Sequence, residues 1–448
     1  MILSRARELL HSKFVHDTLI LQVGKIVVTL LGVISTVLVT RLMGPQLYGV
    51  YALSDSFYNV WKTLDLTGVS TSTSTRLAIA VGADNEGEVE SLMAFYIQVS
   101  MITTVGLALL LGLLGSTVAQ WVQGNATIGM LAALLALTGP GDAFYNLVII
   151  ALQSRRSFRA LALLQNANQF VLTVSMIAAV LISPTPLSLV FARLFFSYAT
   201  MIIALIAYAR LREQEQFTLP SMRSIIVRAP RLSPRPYWRF GFANALDKNV
   251  ANLYIEIPRQ IVGILGGERA VGYVSLALRG LAQVSVLTSA VFENMQAVVP
   301  QLVGRGDYAR LWRNFVQVLG VLALGGFVFY GLLALLAPLF VTPIFGDEWT
   351  PVIPVLLPLT LYGAVTTVGG IFGPLYRAFG MMRAALGAKL LALALALPVG
   401  VVLMGSGGGS ELASAIGGAW MINLLFIVST LLTMALTLPV LRRKAQGK

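Results

Sequence analysis

The sequence predicts an all-α polytopic membrane protein, with about twelve transmembrane helices in two parallel six-helix lobes around a central cavity. Three observations predict it. Of 448 residues, 57% are hydrophobic and 11% charged, with mean hydropathy +0.80, whereas a soluble domain has roughly a quarter of its residues charged. Lys and Arg are strongly asymmetric between the two sets of connections that alternate along the chain. A glycine pattern repeats at half the chain length.

Apolar runs long enough to cross a bilayer lie near 17–40, 48–70, 89–114, 127–153, 160–183, 186–209, 240–265, 271–298, 314–341, 352–376, 384–404 and 412–438. The second, seventh and eighth are weak by hydropathy, and most interior charges fall in them. An even number of spans puts both termini on one side. Twenty-three of the 32 Lys and Arg residues fall in one set of connections; only Arg41 and Arg269 fall in the other, and seven lie within spans. The positive-inside rule makes the basic side, with both termini, cytoplasmic.

The connections on the other side, "GSTVAQWVQGN", "SPTP", "TPIFGDEW" and "SGGGS", read as short loops. The one long connection, the Arg/Pro-rich 210–239, divides the chain into lobes at 1–209 and 240–448. It reads either as a hinge lying on anionic headgroups or as a solvated linker. The segment "MILSRARELLHSKFVHD" reads as an interfacial amphipathic helix or as an ordinary flank of the first span. The first apolar run is too long for a cleavable signal peptide.

Absent cysteine excludes disulfides and thiolate chemistry. The two histidines, His11 and His16, both sit in the N-terminal tail, so no histidine metal site or intramembrane histidine relay is expected. No metal and no cofactor is expected, apart from H⁺ or Na⁺ as a coupling ion. The +13 charge is a topology signal in such a chain, and nucleic acid is not expected as a partner.

"RLMGPQLYGVYAL" from residue 41 and "ILGGERAVGYVSL" from residue 264 share Gly-x4-Gly, at Gly44/Gly49 and Gly267/Gly272, 223 residues apart. At the same offset "TRLAIAVGAD" meets "VVPQLVGRGD". Each half is therefore a six-helix unit, and six being even, the repeats are parallel, with a substrate site between them. Lys25 and Lys248 are related by the same offset.

At 100° per residue, the first helix gathers Thr18, Gln22, Lys25, Thr29, Gly32, Thr36 and Thr40 within about 80°. The second aligns Tyr51, Asp55, Asn59, Lys62 and Asp65, and the seventh Asn244, Lys248, Asn252, Glu256 and Arg259. The eighth adds Arg279, Gln283, Glu293 and Asn294. A charge at the bilayer centre costs about 2.5–3.5 kcal/mol on insertion scales, so these stripes should line water rather than lipid. Lys25, Lys62, Lys248, Arg259, Arg279, Gln22 and Asn252 are the candidate substrate-binding residues. Asp55, Asp142, Asp247, Glu256 and Glu293 are the candidates for coupling or charge pairing. Ordinary structure competes with each assignment: Glu256 and Arg259 are i,i+3 neighbours that can neutralise each other, and Arg193, Lys389 and Asp65 can snorkel or tie helices together. "TGPGDAF" (138–144), Pro258 and "GGIFGP" (369–374) should break the fourth, seventh and tenth spans.

"TRLMGPQLYGVYALSDSF", followed by "TSTSTRLAIA" and a polar loop, resembles the N-terminal signature of bacterial oligosaccharide flippases. These are polysaccharide biosynthesis proteins of the multidrug/oligosaccharidyl-lipid/polysaccharide exporter superfamily. The resemblance implies two six-helix lobes around a V-shaped cavity in the bacterial inner membrane. It implies translocation, by alternating access, of an undecaprenyl-diphosphate-linked oligosaccharide from the cytoplasmic to the periplasmic leaflet, and no enzymatic activity. The partners it implies are a lipid-linked anionic glycan, membrane lipids, and a polysaccharide polymerase with chain-length proteins. Lys25 and Lys248 would grip the diphosphate, with Lys62, Arg259 and Arg279 extending the basic surface. The alternative is a cation-coupled multidrug exporter of the same superfamily, for which a lysine in the first helix is the wrong chemistry.

Overall fold

In a computed structural model the chain is described over residues 13–155, 157–214, 219–231, 238–405 and 409–446. The side chains of 13–27, 158, 214, 231, 238–241, 243–244, 284–290, 293–294 and 297 lie outside that description. Regular structure among the described residues is helical throughout. In order it comprises α1 (Lys13–Lys62), α2 (Val69–Gly82), α3 (Glu86–Gln123), α4 (Ala126–Ala136), α5 (Gly139–Ser154), α6 (Phe158–Ile182) and α7 (Pro186–Gln214). There follow α8 (Met222–Arg228), α9 (Trp238–Gly304), α10 (Tyr308–Phe345), α11 (Val352–Gly369), α12 (Phe372–Ala378), α13 (Met382–Gly405) and α14 (Glu411–Ala445).

The half-length repeat is visible in the backbone. α1 turns at Gly44 (φ 67°, ψ 171°) and α9 at Gly267 (φ 74°, ψ −178°). This is a region of backbone space essentially restricted to glycine, and two glycines 223 residues apart occupy it with nearly the same angles. Each long helix is thus two arms, 13–43 and 45–62 in α1, 238–266 and 268–304 in α9. Nine apolar helices of membrane length and the bent pair α4–α5 are present among the described residues. Counting both arms of the two turned helices brings the segments to the twelve expected.

The second pair of glycines closes the turns on one another. A Cβ on Gly49 would overlap the carbonyl of Glu268, and one on Gly272 would overlap the carbonyl of Pro45. Pro45 and Glu268 are again 223 residues apart, so the crossing is reciprocal, as in an isologous contact between two subunits. Gln46 Nε2 donates to Glu268 Oε2 at 3.1 Å. Trp349, 1% exposed, sits beside the crossing, with Tyr48 and Tyr273 edge-on at 5.8 and 6.2 Å. Its indole Nε1 donates to the Thr40 carbonyl at 3.2 Å. Gly44→Ala is expected to cost about 1–3 kcal/mol in backbone strain, and Gly49→Ala to force the two turns apart. Gly82→Ala, helical with open space at its Cβ, should leave stability unchanged or slightly raised. Thermal unfolding in detergent checks the contrast: lowered midpoints for the first two variants only.

Elsewhere the backbone departs from the expected boundaries for local reasons. The second span ends at Lys62 instead of running on to residue 70. The Asp65 carboxylate accepts from the Thr67 N–H at 3.0 Å and from its hydroxyl at 2.6 Å, an Asx turn that competes with the helix. Asp65 is therefore a turn residue, not the end of a helical stripe. Val69–Gly82 is then helical where much of a loop was expected, and α3 runs through "GSTVAQWVQ" to Gln123. The breaks in "TGPGDAF" and "GGIFGP" are present, between α4 and α5 and between α11 and α12. Pro258 does not interrupt α9.

The chain divides into two compact units. Unit 1 takes residues up to Val39, Leu64–Trp121 and Asn125–Ala245; unit 2 takes Thr40–Thr63, Val122–Gly124 and Leu246–Lys448. The second arm of α1 thus belongs to unit 2, with both glycine turns. The core of unit 1 is built from the start of α3, the end of α5 and parts of α6 and α7. The described stretch 219–231 of the long connection packs into that core through Leu219, Ile225 and Ala229. It is tied there by Arg228 to Glu90 at 2.6 Å and by Tyr208, whose hydroxyl donates to the Pro220 carbonyl at 2.9 Å. In unit 2, one core cluster gathers Val299, Phe315, Phe372, Leu375 and Leu441.

Candidate functional site

Two polar cavities lie within unit 2, both walled by α9. The first, about 340 Å³, is bounded by the second arm of α1, both arms of α9, α10 and α11. On α1, Tyr51 and Asp55 are i,i+4 neighbours and share a face. Asp55 Oδ2 accepts from Asn59 at 3.3 Å. On the first arm of α9, Glu256 Oε2 and Arg259 Nη1 pair at 2.9 Å, with side chains only 12% and 13% exposed. On the second arm, Arg279 lies 5.8 Å from the centre of the Tyr48 ring and shares the cavity wall with Tyr51. Tyr330, Tyr362 and Thr366 complete the wall. Two polar atoms are buried there without a hydrogen-bond partner, Arg259 Nε and Ser275 Oγ.

The second cavity, about 390 Å³, is bounded by the first arm of α9 and by α11, α12, α13 and α14. Its centre is Asp247, 3% exposed. Lys389 Nζ reaches Asp247 Oδ1 at 2.5 Å, Arg377 Nη2 lies 3.6 Å from Oδ2, and the Tyr376 hydroxyl donates to Oδ2 at 3.0 Å. One carboxylate is thereby shared by two cations and a phenol, an arrangement that compensates a charge too costly to bury alone. Tyr254 donates to the Lys389 carbonyl at 2.5 Å and holds α13 against α9. Lys248 is exposed in this cavity, next to Asn252, and has no ion-pair partner among the described residues. The cavity carries three cations and one carboxylate.

The cavities adjoin. Thr366 lines both, and Phe426 in the second packs edge-on against Tyr362 in the first at 4.8 Å.

Of the residues singled out from sequence, Asp55, Glu256, Arg259 and Arg279 meet in the first cavity, and Asp247, Lys248 and Asn252 in the second. Lys62 lines neither; it is exposed, with its ammonium 5.5 Å from the centre of the Tyr58 ring. Asp142 belongs to unit 1, where its Oδ1 accepts from the Ser197 hydroxyl at 2.8 Å. The side chains of Gln22, Lys25 and Glu293 lie outside the described residues. Sequence reasoning missed Arg377, placed in a connection, and read Lys389 as a residue that snorkels or ties helices together; its pairing with Asp247 is the second of these. It also left Tyr362 and Tyr376 unremarked. A lysine alone in the apolar run of α13 was the available signal, since such a charge needs a partner.

A family model described as "Polysaccharide biosynthesis protein" matches residues 38–354. No curated protein matches the chain. Among solved structures, the fold is similar to a eukaryotic MATE transporter, AtDTX14, at TM-score 0.68 and 16% identity, covering 97% of this chain and 99% of that one. It is similar to the inward-facing conformation of a multidrug resistance MATE family transporter of the MOP superfamily, at 0.67 and 14%, covering 95% of each. A MOP superfamily transporter from Pyrococcus furiosus, described as having a reverse polarity of its binding pocket that suggests a different function, matches at 0.65 and 14%, over 96% of this chain and 95% of that one. At these identities the similarity establishes the fold alone, all-α with two lobes of six helices.

Proposed function

The chain belongs to the polysaccharide biosynthesis protein family of membrane transporters, and from that membership we propose that it is a flippase. Its cargo is an undecaprenyl-diphosphate-linked oligosaccharide, moved from the cytoplasmic to the periplasmic leaflet by alternating access. The observation that carries the reading is the second cavity, where Lys248, Arg377 and Lys389 face one carboxylate. The Lys248 ammonium, exposed to the cavity and without an ion-pair partner among the described residues, is placed to meet an anion, and a diphosphate forms strong charge-assisted hydrogen bonds with such groups. A cationic drug entering the same cavity would be repelled, which weighs against a multidrug exporter.

Asp247 acts as the resident counter-ion, holding Arg377 and Lys389 in place and giving one of them up to a phosphate oxygen as cargo enters. Of the other carboxylates, Asp55 and Glu256 stand beside the arginines of the first cavity, and a coupling H⁺ or Na⁺ would act there or at Asp142. The positive-inside distribution supports cytoplasmic termini, and the reading makes this a bacterial inner-membrane protein with membrane lipids and the polymerase and chain-length proteins as proposed partners. Mass spectrometry of lipid-linked oligosaccharides in a deletion strain tests the reading. Undecaprenyl-diphosphate glycan should accumulate and be cleared by the wild-type gene. Sensitivity to drugs without accumulation would transfer the case to export.

A further inference from the structure

We infer that the first cavity is a glycan subsite, so that unit 2 holds a lipid-linked sugar in a set direction, its diphosphate at Lys248, Arg377 and Lys389 and its first, uncharged sugar among Tyr51, Glu256, Arg259 and Tyr362. The inference rests on the flippase reading and goes beyond it by assigning a second site and the orientation of the cargo.

The two cavities differ in chemistry. The second has an excess of cations. In the first, two carboxylates, Asp55 and Glu256, face two guanidinium groups, Arg259 and Arg279, so it has no net attraction for an anion. Its wall offers tyrosine faces together with alternating groups that only accept and groups that only donate. A sugar hydroxyl does both, and vicinal hydroxyls match such a wall. The volume, 340 Å³, falls in the range of about 300–1,000 Å³ usual for small-molecule pockets.

Spacing supports the pairing of the sites. Lys248 and Glu256 lie eight residues apart on the uninterrupted first arm of α9, a rise of about 12 Å at 1.5 Å per residue. The diphosphate and the sugar bonded to it are covalent neighbours and need subsites that adjoin, and Thr366 lines both cavities. By the charge distribution of the connections, α9 enters from the cytoplasmic side, so the cationic cavity lies nearer the cytoplasmic leaflet where the lipid tail is anchored. The glycan then points toward the glycine crossing.

Titration calorimetry on the purified full-length protein, with farnesyl diphosphate and the same lipid carrying glucose, N-acetylglucosamine or glucuronic acid, tests this. At least one neutral sugar should improve affinity tenfold or more over farnesyl diphosphate, and glucuronic acid should add no further gain. Tyr51→Phe and Tyr362→Phe should each reduce the gain while leaving binding of farnesyl diphosphate unchanged, which also shows that the variants are folded. Lys248→Met should weaken all probes by a similar factor. If neutral sugars add nothing to wild-type affinity, or the first-cavity variants weaken the sugar-free lipid equally, the subsite is wrong while the flippase reading stands. If no diphosphate lipid binds the wild type, both fall together.

Discussion

Lys248→Glu is expected to abolish clearance of lipid-linked oligosaccharide in a complemented deletion strain, whereas Lys248→Arg retains it and Lys248→Met is intermediate. Two unit charges about 4 Å apart interact by about 4 kcal/mol at an effective dielectric of 20, equivalent to roughly a thousandfold in affinity. Water in the cavity screens part of this around an exposed side chain, so a loss of at least tenfold is the expected result for simple neutralisation. Charge reversal does more, because it places a second carboxylate beside Asp247 and sets Lys248's successor against the phosphate. Mass spectrometry of the accumulated lipid, with protein levels checked by immunoblot, reads the series. Full clearance by Lys248→Glu would remove the cationic cavity from the transport path.

Asp247→Ala is expected to be the most destabilising single change in unit 2. Removing one partner of a buried pair costs about 3–5 kcal/mol, because the charges left behind have no compensation. Here the mostly buried Lys389 ammonium loses its carboxylate, while the half-exposed Arg377 guanidinium is compensated by water. Lys389→Met should cost less, since Asp247 keeps Arg377 and the Tyr376 hydroxyl. The pair Asp247→Asn with Lys389→Met should recover much of the loss, a non-additivity that a double-mutant cycle on unfolding in detergent would measure. Additive effects would mean that the close approach of these groups carries no energy.

The repeat was the most legible feature of the chain. Only glycine occupies the backbone region found at positions 44 and 267 at low cost, so their spacing marked both turns. Glycines 49 and 272 were legible only as part of the repeat; that they meet at a crossing, where only a hydrogen fits against a facing carbonyl, is visible in the structure alone. Helix count and the two broken spans followed from apolar run length and from Pro and Gly. The boundary at Lys62 was not legible, because the Asx turn at Asp65 competes with a helix that the hydropathy pattern would continue. Nor did α3 show its full length, since polar "STVAQWVQ" reads as a loop where length and neighbours decide otherwise.

The site was legible in half. Helical periodicity aligned Lys248, Asn252, Glu256 and Arg259, and these do line the two cavities. Periodicity acts only along one helix, and Asp247 falls one residue off that stripe, onto the side that meets α12 and α13. Its partners Arg377 and Lys389 are 130 and 142 residues away, a pairing set by helix packing. For the same reason, Arg377 read as a topology charge although it belongs to the cavity.

Reconstitution into vesicles carrying fluorescently labelled undecaprenyl-diphosphate oligosaccharide tests the central claim most directly. Access of a membrane-impermeant glycosidase to the glycan reports the leaflet it occupies. With wild-type protein, nearly all the glycan should become cleavable from outside; with Lys248→Glu, only the outer-leaflet fraction should. An inner-leaflet fraction that stays protected in the presence of folded, correctly inserted wild-type protein would contradict the account.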